Sequence, residues 1–552
     1  MNFRYSFLLK LAGALLLVVL ADLLFWLQSA GTTIGLFAIA VLVAAACMRT
    51  DMFRRWPARF ALAAALFFAF ALTFNPGPLA LLLYWTALTL AALLPRTARF
   101  DDGWRWLVRL LAHGVLSPIG PLRDLLIAGR ARRRRRPAPL RGKIFVLILP
   151  LVGSTIFLSL FAQANPLIGD FLSNVDFWPE FDIFTVLRAI FWVAILIAMW
   201  SVLRPPRFVL GRTRTEALQD LALPGVSTAS VAISLLAFNL IFALQNGLDL
   251  IFLWSGAALP DGMTLAEYAH RGAYPLIATA LLAGLFVLVT LRPGAPTAAS
   301  RPIRLLVTLW IGQNLLLVAS TMLRTFDYVL AYSLTELRIA ALIWMGLVAL
   351  GLALICYRLL RGKSGAWLIN ANLLAAALVL AGCCWIDLGA VAAQWNVRHA
   401  REVGGTGAGI DLCYLNQLGP SALLPLIELE SRQLPGELRE RVQWVRSRAM
   451  DRLAESQADW HGWIWRNEGR LAEAQALTAT LRLAHHAPDY RQCDGRPFPP
   501  TPAREGPTDD EMPGNPDANA ASPVPVIATV PVPTSGLPPS EPAKPLTARP
   551  AR

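Results

Sequence analysis

The chain has 552 residues, of which 56% are hydrophobic and only 16% charged, against roughly 25% charged in soluble domains. With a mean hydropathy of +0.51, a single soluble core and a disordered chain are both excluded, and the class that remains is an all-α polytopic membrane protein. The charge is uneven: residues 1–386 carry 33 Lys and Arg against 16 Asp and Glu, whereas residues 387–552 carry 17 against 20. A basic excess confined to the apolar part is what loops beside membrane spans require. No reader motif accompanies it, so nucleic acid is not an expected partner.

A membrane helix needs about 20 mostly apolar residues. On that basis about eleven spans are predicted, at 5–27, 34–48, 60–74, 79–94, 144–161, 183–203, 231–253, 274–291, 303–323, 339–357 and 367–386. The second to fourth are short. The first is longer than a signal-peptide apolar core, and no clear small-residue cleavage site follows it. The expected organisation is four N-terminal spans (1–95), a basic cytoplasmic loop (96–143), about seven further helices (144–386), an external helical domain (387–495) and a disordered proline-rich tail (496–552).

Loop charge sets the expected orientation. With the N-terminus in the cytoplasm, 29 of the 33 basic residues before position 387 lie at inside positions, and only Arg188, Arg271, Arg324 and Arg338 lie opposite. An odd span count then puts everything after residue 386 outside the cytoplasm, and the acidic loop 165–182, which has no basic residue, fits the external side. Within the cytoplasmic loop, residues 103–113 read as an amphipathic helix with Trp104, Leu107, Leu110 and Leu111 opposed by Arg105 and Arg109. The run Arg132, Arg133, Arg134, Arg135 and Arg136 follows. It is either a topogenic stop or a clamp for anionic lipids of the cytoplasmic leaflet, where each basic residue is worth about 1 kcal/mol.

Beyond the spans, Leu438, Val442, Val445, Ala449 and Leu453, and then Leu471, Ala474, Leu477 and Leu481, recur at helical spacing. Trp460, Trp463 and Trp465 lie between the two runs as core or interface anchors. Sixteen prolines in the last 57 residues mark the extended tail. Cys413 and Cys493 are the two cysteines outside the spans, in a compartment where disulfides persist, and a bridge between them is expected. The six histidines form no metal-ligand spacing, and no metal or other cofactor is expected. The glycine-rich run at 404–409 follows no predicted strand and reads as an interhelical linker rather than a phosphate loop.

Polar residues inside spans are costly and face a partner or a cavity. The span 231–253 holds Asn239, Gln245, Asn246 and Asp249, with Asn239 and Asn246 about 20° apart and Asp249 about 80° from Asn239 around the helix. Glu267, Tyr268, His270 and Arg271 close the next external loop, Gln313 and Asn314 sit in the following outward span, and Arg324, Tyr328, Tyr332 and Glu336 recur every four residues before Arg338. These groups either converge on an externally open ligand or ion site or serve only helix packing. Asp22, near the outer end of the first span, has the same two readings.

At these residues the chain resembles a bacterial inner-membrane family known only as a domain of unknown function (4173/4153 type). The stretches that carry the resemblance are LFAQANPLIGDFL (160–172), FNLIFALQNGLDLIFLW (238–254), the EYAHRGAYPLIATALLAG core of 259–288, TMLRTFDYVLAYSLTELRIAALIWM (321–345) and AQWNVR (393–398). The resemblance covers most of 144–470; it implies an architecture and supplies no mechanism.

The function expected is a non-enzymatic inner-membrane protein of the envelope that senses, scaffolds or transports a small or lipidic ligand, with the bilayer and a membrane or envelope protein as partners. The alternative is a membrane-embedded glycosyl or acyl transferase with a lipid-linked donor. The orientation is directly testable. Alkaline phosphatase fused after Arg398 should be active and, fused within residues 130–143, inactive; the reverse pattern would overturn the orientation.

Overall fold

The computed structural model describes residues 3–97, 102–124, 154, 182–205, 227–254, 282, 286, 300–487 and 489–498, and among them it is all-helical apart from one isolated bridge, Arg491 to Pro497. In chain order the helices are α1 (Phe3–Phe25), α2 (Thr33–Met48), α3 (Trp56–Phe74), α4 (Pro78–Leu93), α5 (Gly103–Leu116), α6 (Ile183–Leu203), α7 (Thr228–Asp249), α8 (Arg301–Tyr332), α9 (Glu336–Arg361) and α10 (Gly365–Cys383). After them come α11 (Leu388–His399), α12 (Leu412–Leu418), α13 (Leu423–Glu430), α14 (Gly436–Ala458) and α15 (Trp465–Thr480). Pro57 and Pro78 stand in the first helical positions of α3 and α4, where a missing N–H costs nothing.

Eight described helices are long and apolar enough to cross a membrane, and α2, with 16 residues, is a shorter apolar helix. Nine of the eleven expected spans therefore coincide with helices. The other two, 144–161 and 274–291, fall almost wholly outside the described residues, as do Arg132 to Arg136 and the tail after residue 498. The third and fourth spans are longer than their apolar cores, because α3 begins four residues earlier and a short 3-10 turn carries α4 on to Arg96.

Where no hydrophobic effect drives helices together, close backbone approach does so. Helices α1, α2, α3, α4 and α6 meet through Ala14, Ala21, Ala38, Ala45, Ala65 and Ala69, all buried. At Gly35 a Cβ would lie 2.3 Å from the Thr73 nitrogen, so α2 and α3 cross there only as glycine. A second core joins α7, α8, α9 and α10 around Trp310, which stacks on Phe238 at 5.3 Å and meets Phe242 edge-on at 5.7 Å.

The bundle has two unlike ends. At one end, Arg49 donates to the Val202 carbonyl at 3.1 Å and pairs with Asp51, Arg96 donates to Pro205, and Arg204 reaches Asp124 at 3.2 Å. At the other end sit α11 to α15. Asn396 of α11 grips the α8–α9 turn with both halves of its amide, accepting from the Leu334 N–H at 2.6 Å and donating to the Leu334 carbonyl at 2.8 Å. The Tyr414 hydroxyl accepts from the Glu336 N–H at 3.0 Å, and Arg466 donates to the Trp385 carbonyl at 2.5 Å while lying over Phe74.

Asp387 joins the two parts. Burial alone would raise its pKa, but the Ala390 N–H, the Arg470 guanidinium and the Ser421 hydroxyl hold the carboxyl below the usual carboxylate range. Cys413 and Cys493 form a disulfide with Cα atoms 4.8 Å apart. A cross-link over 80 residues of separation removes about 4 kcal/mol of chain entropy from the unfolded state.

Two details add to the sequence reading. On α5 the buried face is Gly103, Trp106, Arg109 and His113, while Trp104, Leu107 and Leu111 are exposed. Arg109 thus faces the protein and the apolar stripe faces out, as on a helix lying along a membrane surface. On α15, Leu471 and Ala474 are buried but Leu477 and Leu481 lie on the surface; the helix ends at Thr480, before Leu481, and Arg482 takes a positive φ of 52°.

In the C-terminal helices the Arg446 guanidinium is bidentate to Glu430 at 2.8 and 3.2 Å and also donates to the Ala484 carbonyl at 2.6 Å, with both side chains buried. Removing one partner strands the other charge, which costs about 3–5 kcal/mol. Glu430→Ala should therefore lower the thermal midpoint sharply, whereas Glu430→Leu with Arg446→Met should restore most of it. Equal midpoints for the single and double variants, read by differential scanning calorimetry, would refute the pairing.

Candidate functional site

Helix α7 carries its amides and Asp249 on the face turned to α8, because only a protein neighbour can supply their partners inside an apolar bundle. The seam reads as a ladder. Asn239 donates to the Leu235 carbonyl of its own helix at 2.8 Å and to Leu306 of α8 at 3.0 Å. Gln313 of α8 answers by donating to Asn239 Oδ1 at 2.9 Å, and Asn246 donates to the Gln313 carbonyl at 3.2 Å. One turn further, Arg324 Nη2 donates to Asp249 Oδ1, which also accepts from Gln245 at 3.0 Å. Beyond Asp249 the backbone widens into a π-helical turn, Leu250–Trp254, and the Trp254 indole donates to Ser320 at 3.2 Å.

The ladder is rich in acceptors. Asp249 is 2% exposed and Asn246 4%, yet among the described residues Asn246 Oδ1, Asp249 Oδ2 and the half-buried Gln313 Oε1 have no hydrogen-bond donor. Leaving such atoms unmatched in an apolar interior costs about 1–3 kcal/mol each. π turns of this kind occur frequently at functional sites, and here one begins at the residue after the seam's carboxylate. Chemically the seam can accept hydrogen bonds or coordinate a small hard cation through carboxylate and amide oxygens. Among the described residues no cluster of three or more His, Cys, Asp or Glu side chains could hold a metal ion.

Of the residues singled out in the sequence, Asn239, Asn246, Asp249 and Arg324 come together on this seam. Tyr328, Tyr332 and Arg338 form a second group at the α8–α9 turn, where Arg338 lies over the Tyr328 ring at 4.3 Å and donates to the Tyr332 and Ser333 carbonyls. Tyr328 and Tyr332 pack with centroids 4.8 Å apart. Glu336 does not extend that face: the helix breaks at Ser333, whose φ is +71°, and Glu336 opens α9. Glu267, Tyr268, His270 and Arg271 lie outside the described residues. Asp22 is engaged in full, by Arg188 at 2.9 and 2.5 Å and by the Trp192 indole at 2.8 Å.

Sequence reasoning left out Asn396 as a site residue, and of the adjacent amides Gln313 and Asn314 it did not say which would meet α7. The signal for Gln313 was its place beside Asn314 in an apolar span: adjacent residues point about 100° apart, so one of them had to face α7. Asn314 instead donates to Trp310 of its own helix.

The family model described as "Domain of unknown function (DUF4153)" matches residues 11–429. The chain belongs to this family. The DUF4153 region begins within α1, takes in the described helices that follow with the polar seam and the Asn396 clamp, and stops at the end of α13, before Arg446, Trp463 and Cys493. No curated protein and no solved structure matches the chain.

The seam makes a direct energetic prediction. Arg324→Ala leaves the buried Asp249 carboxylate uncompensated, a loss of about 3–5 kcal/mol for a pair of this kind. Adding Asp249→Asn removes the stranded charge and should recover more than half of that loss. Unfolding by sodium dodecyl sulfate, followed by circular dichroism, measures it; a double variant no more stable than Arg324→Ala would exclude a charge pair there.

Proposed function

We propose that this DUF4153 chain is an inner-membrane protein of the bacterial envelope that senses a small ligand at the α7–α8 seam, taking a monovalent cation or the ammonium group of a small molecule. The observation that carries the reading is the set of buried acceptors that lack donors among the described residues, Asn246 Oδ1, Asp249 Oδ2 and Gln313 Oε1. Asp249 is already balanced by Arg324, so the occupant has to bring hydrogen-bond donors or a single positive charge. A strong anion has nothing to gain from three oxygens.

Sensing is favoured because the seam is mechanically connected. From Arg324, α8 runs about two turns to the break at Ser333, and the next residue, Leu334, is held by Asn396 of α11. A ligand that tightens α7 against α8 thereby loads the C-terminal helices. The orientation that goes with this reading puts those helices outside the cytoplasm. It is supported by the charge partition of the loops and by the gathering of Arg49, Arg96 and Arg204 at the bundle end away from the C-terminal helices.

The test uses the full chain in nanodiscs. Sodium, potassium and ethanolammonium are titrated against choline at constant ionic strength, and amide hydrogen exchange is followed in α7, α8 and α11. One of the small cations should slow exchange in all three helices, with Asp249→Asn abolishing the effect and Asn246→Ala weakening it at least tenfold. Exchange in wild type that ignores every cation would refute the site, and slowing confined to α7 and α8 would refute the connection to α11.

A further inference from the structure

A second site stands apart from the polar seam and does not rest on it. The α1–α2 loop and the start of α2 meet the turn between α14 and α15. The Thr32 N–H donates to the Trp463 carbonyl at 2.8 Å, and the Ser29 hydroxyl donates to Asp459. The contact is so close that a Cβ on Gly31 would fall 2.4 Å from the carbonyl oxygens of His461 and Trp463. Beside this junction lies a cavity of about 330 Å³ lined by Thr32, Thr33, Leu36, Ala458, Trp460 and Trp463, together with Gln457.

The polar side-chain atoms of that lining, apart from the Trp460 indole N–H, are already committed. The Thr32 hydroxyl donates to the Thr73 carbonyl at 2.9 Å and accepts from the Trp465 N–H, and the Thr33 hydroxyl donates to His461. Gln457 exchanges both halves of its amide with Ile464, at 2.9 and 3.0 Å, and the Trp463 indole donates to Glu468 at 3.0 Å. What remains to face the cavity is the Leu36 side chain, methyl groups and indole faces. An occupant is therefore selected for apolar surface.

The cavity is also continuous with lipid-facing surface. Leu36 is 51% exposed, and Val43, seven residues on and so on the same face of α2, is 55% exposed. Trp460 of the α14–α15 turn, 61% exposed, lines the cavity beside the start of α2, and at a span's end amphipathic rings favour the headgroup level. The geometry points to a binding site for one acyl chain of a phospholipid, drawn from the leaflet on the side of the C-terminal helices. The chain would run along Leu36 and Val43 and end against Trp460 and Trp463. Such a lipid touches the first helical hairpin and the last two helices at once.

Photoaffinity labelling tests this in nanodiscs of the full chain doped with a phospholipid whose acyl chain carries a diazirine. Adducts should concentrate on residues 32–36 and 457–463, at least fivefold over the exposed α1 positions Leu15 and Leu16. Ala458→Phe, on the exposed end of α14, fills the cavity and should remove that excess while labelling at Leu15 and Leu16 and the thermal midpoint stay unchanged. Trp460→Ala should likewise reduce the excess without adding bulk. Uniform labelling along α1 and α2, or an excess that survives both variants, would overturn the site. A diazirine fatty acid that labels the cavity where the phospholipid does not would overturn the phospholipid as its source.

Discussion

Inside an apolar medium every polar atom needs a protein partner, and the arrangement of α7 against α8 follows from that one requirement. Asp249 and Arg324 pair with each other across the seam, and leaving either without its partner is costly there, so the two fix the rotation of both helices and their offset along the seam. Asn239, Gln313 and Asn246 repeat the same demand at successive turns with neutral groups. Each rung limits sliding, which pure apolar packing would leave nearly free. Trp310, stacked among Phe238 and Phe242, then fills the volume the ladder has defined.

The two ends of the bundle solve different problems. At the basic end, guanidinium groups close the backbone carbonyls left over where helices stop, as Arg49 does for Val202 and Arg96 for Pro205. At the other end, the C-terminal helices do that work with side chains of their own: Asn396 on Leu334, Tyr414 on Glu336, Arg466 on Trp385. The C-terminal helices are thus part of how the membrane helices terminate. Their own centre is held by Glu430 and Arg446 and by the disulfide between Cys413 and Cys493, so the clamp on the α8–α9 turn is anchored in a stiff body.

How far the sequence could be read depended on whether a feature is local. Span positions are local, since length and apolarity alone locate α6 or α9 to within a few residues. That Asp249 matters is also local, because an ionisable group in an apolar run is conspicuous by itself. Its partner is not: Arg324 lies 75 residues away, and helical spacing carries no information across that gap. Asn396 was hidden for the same reason inside a motif whose purpose is a turn 62 residues earlier. Which face of α5 packs on the protein was not legible, because that depends on neighbours distant in sequence and its surroundings are not water alone. Trp104 and Leu111 point out and Arg109 points in, the reverse of what a soluble helix teaches. The break at Ser333 was likewise illegible from a four-residue recurrence that passes straight through it.

The seating of the 461–463 backbone on Gly31 ties the two extremes of the folded chain to each other, across a separation of some 430 residues. A polypeptide emerges from the ribosome in order, so the first hairpin reaches the bilayer long before the turn that covers its loop has been made. Until then the Thr32 and Thr33 positions lack their partners from the C-terminal turn, and the hairpin is held by its neighbours α3, α4 and α6 alone. Completion of the N-terminal bundle is thereby a late event in biogenesis. A nascent chain stalled anywhere before the α14–α15 turn would present an unfinished loop at the membrane surface, a ready handle for quality-control proteases to tell arrested molecules from finished ones.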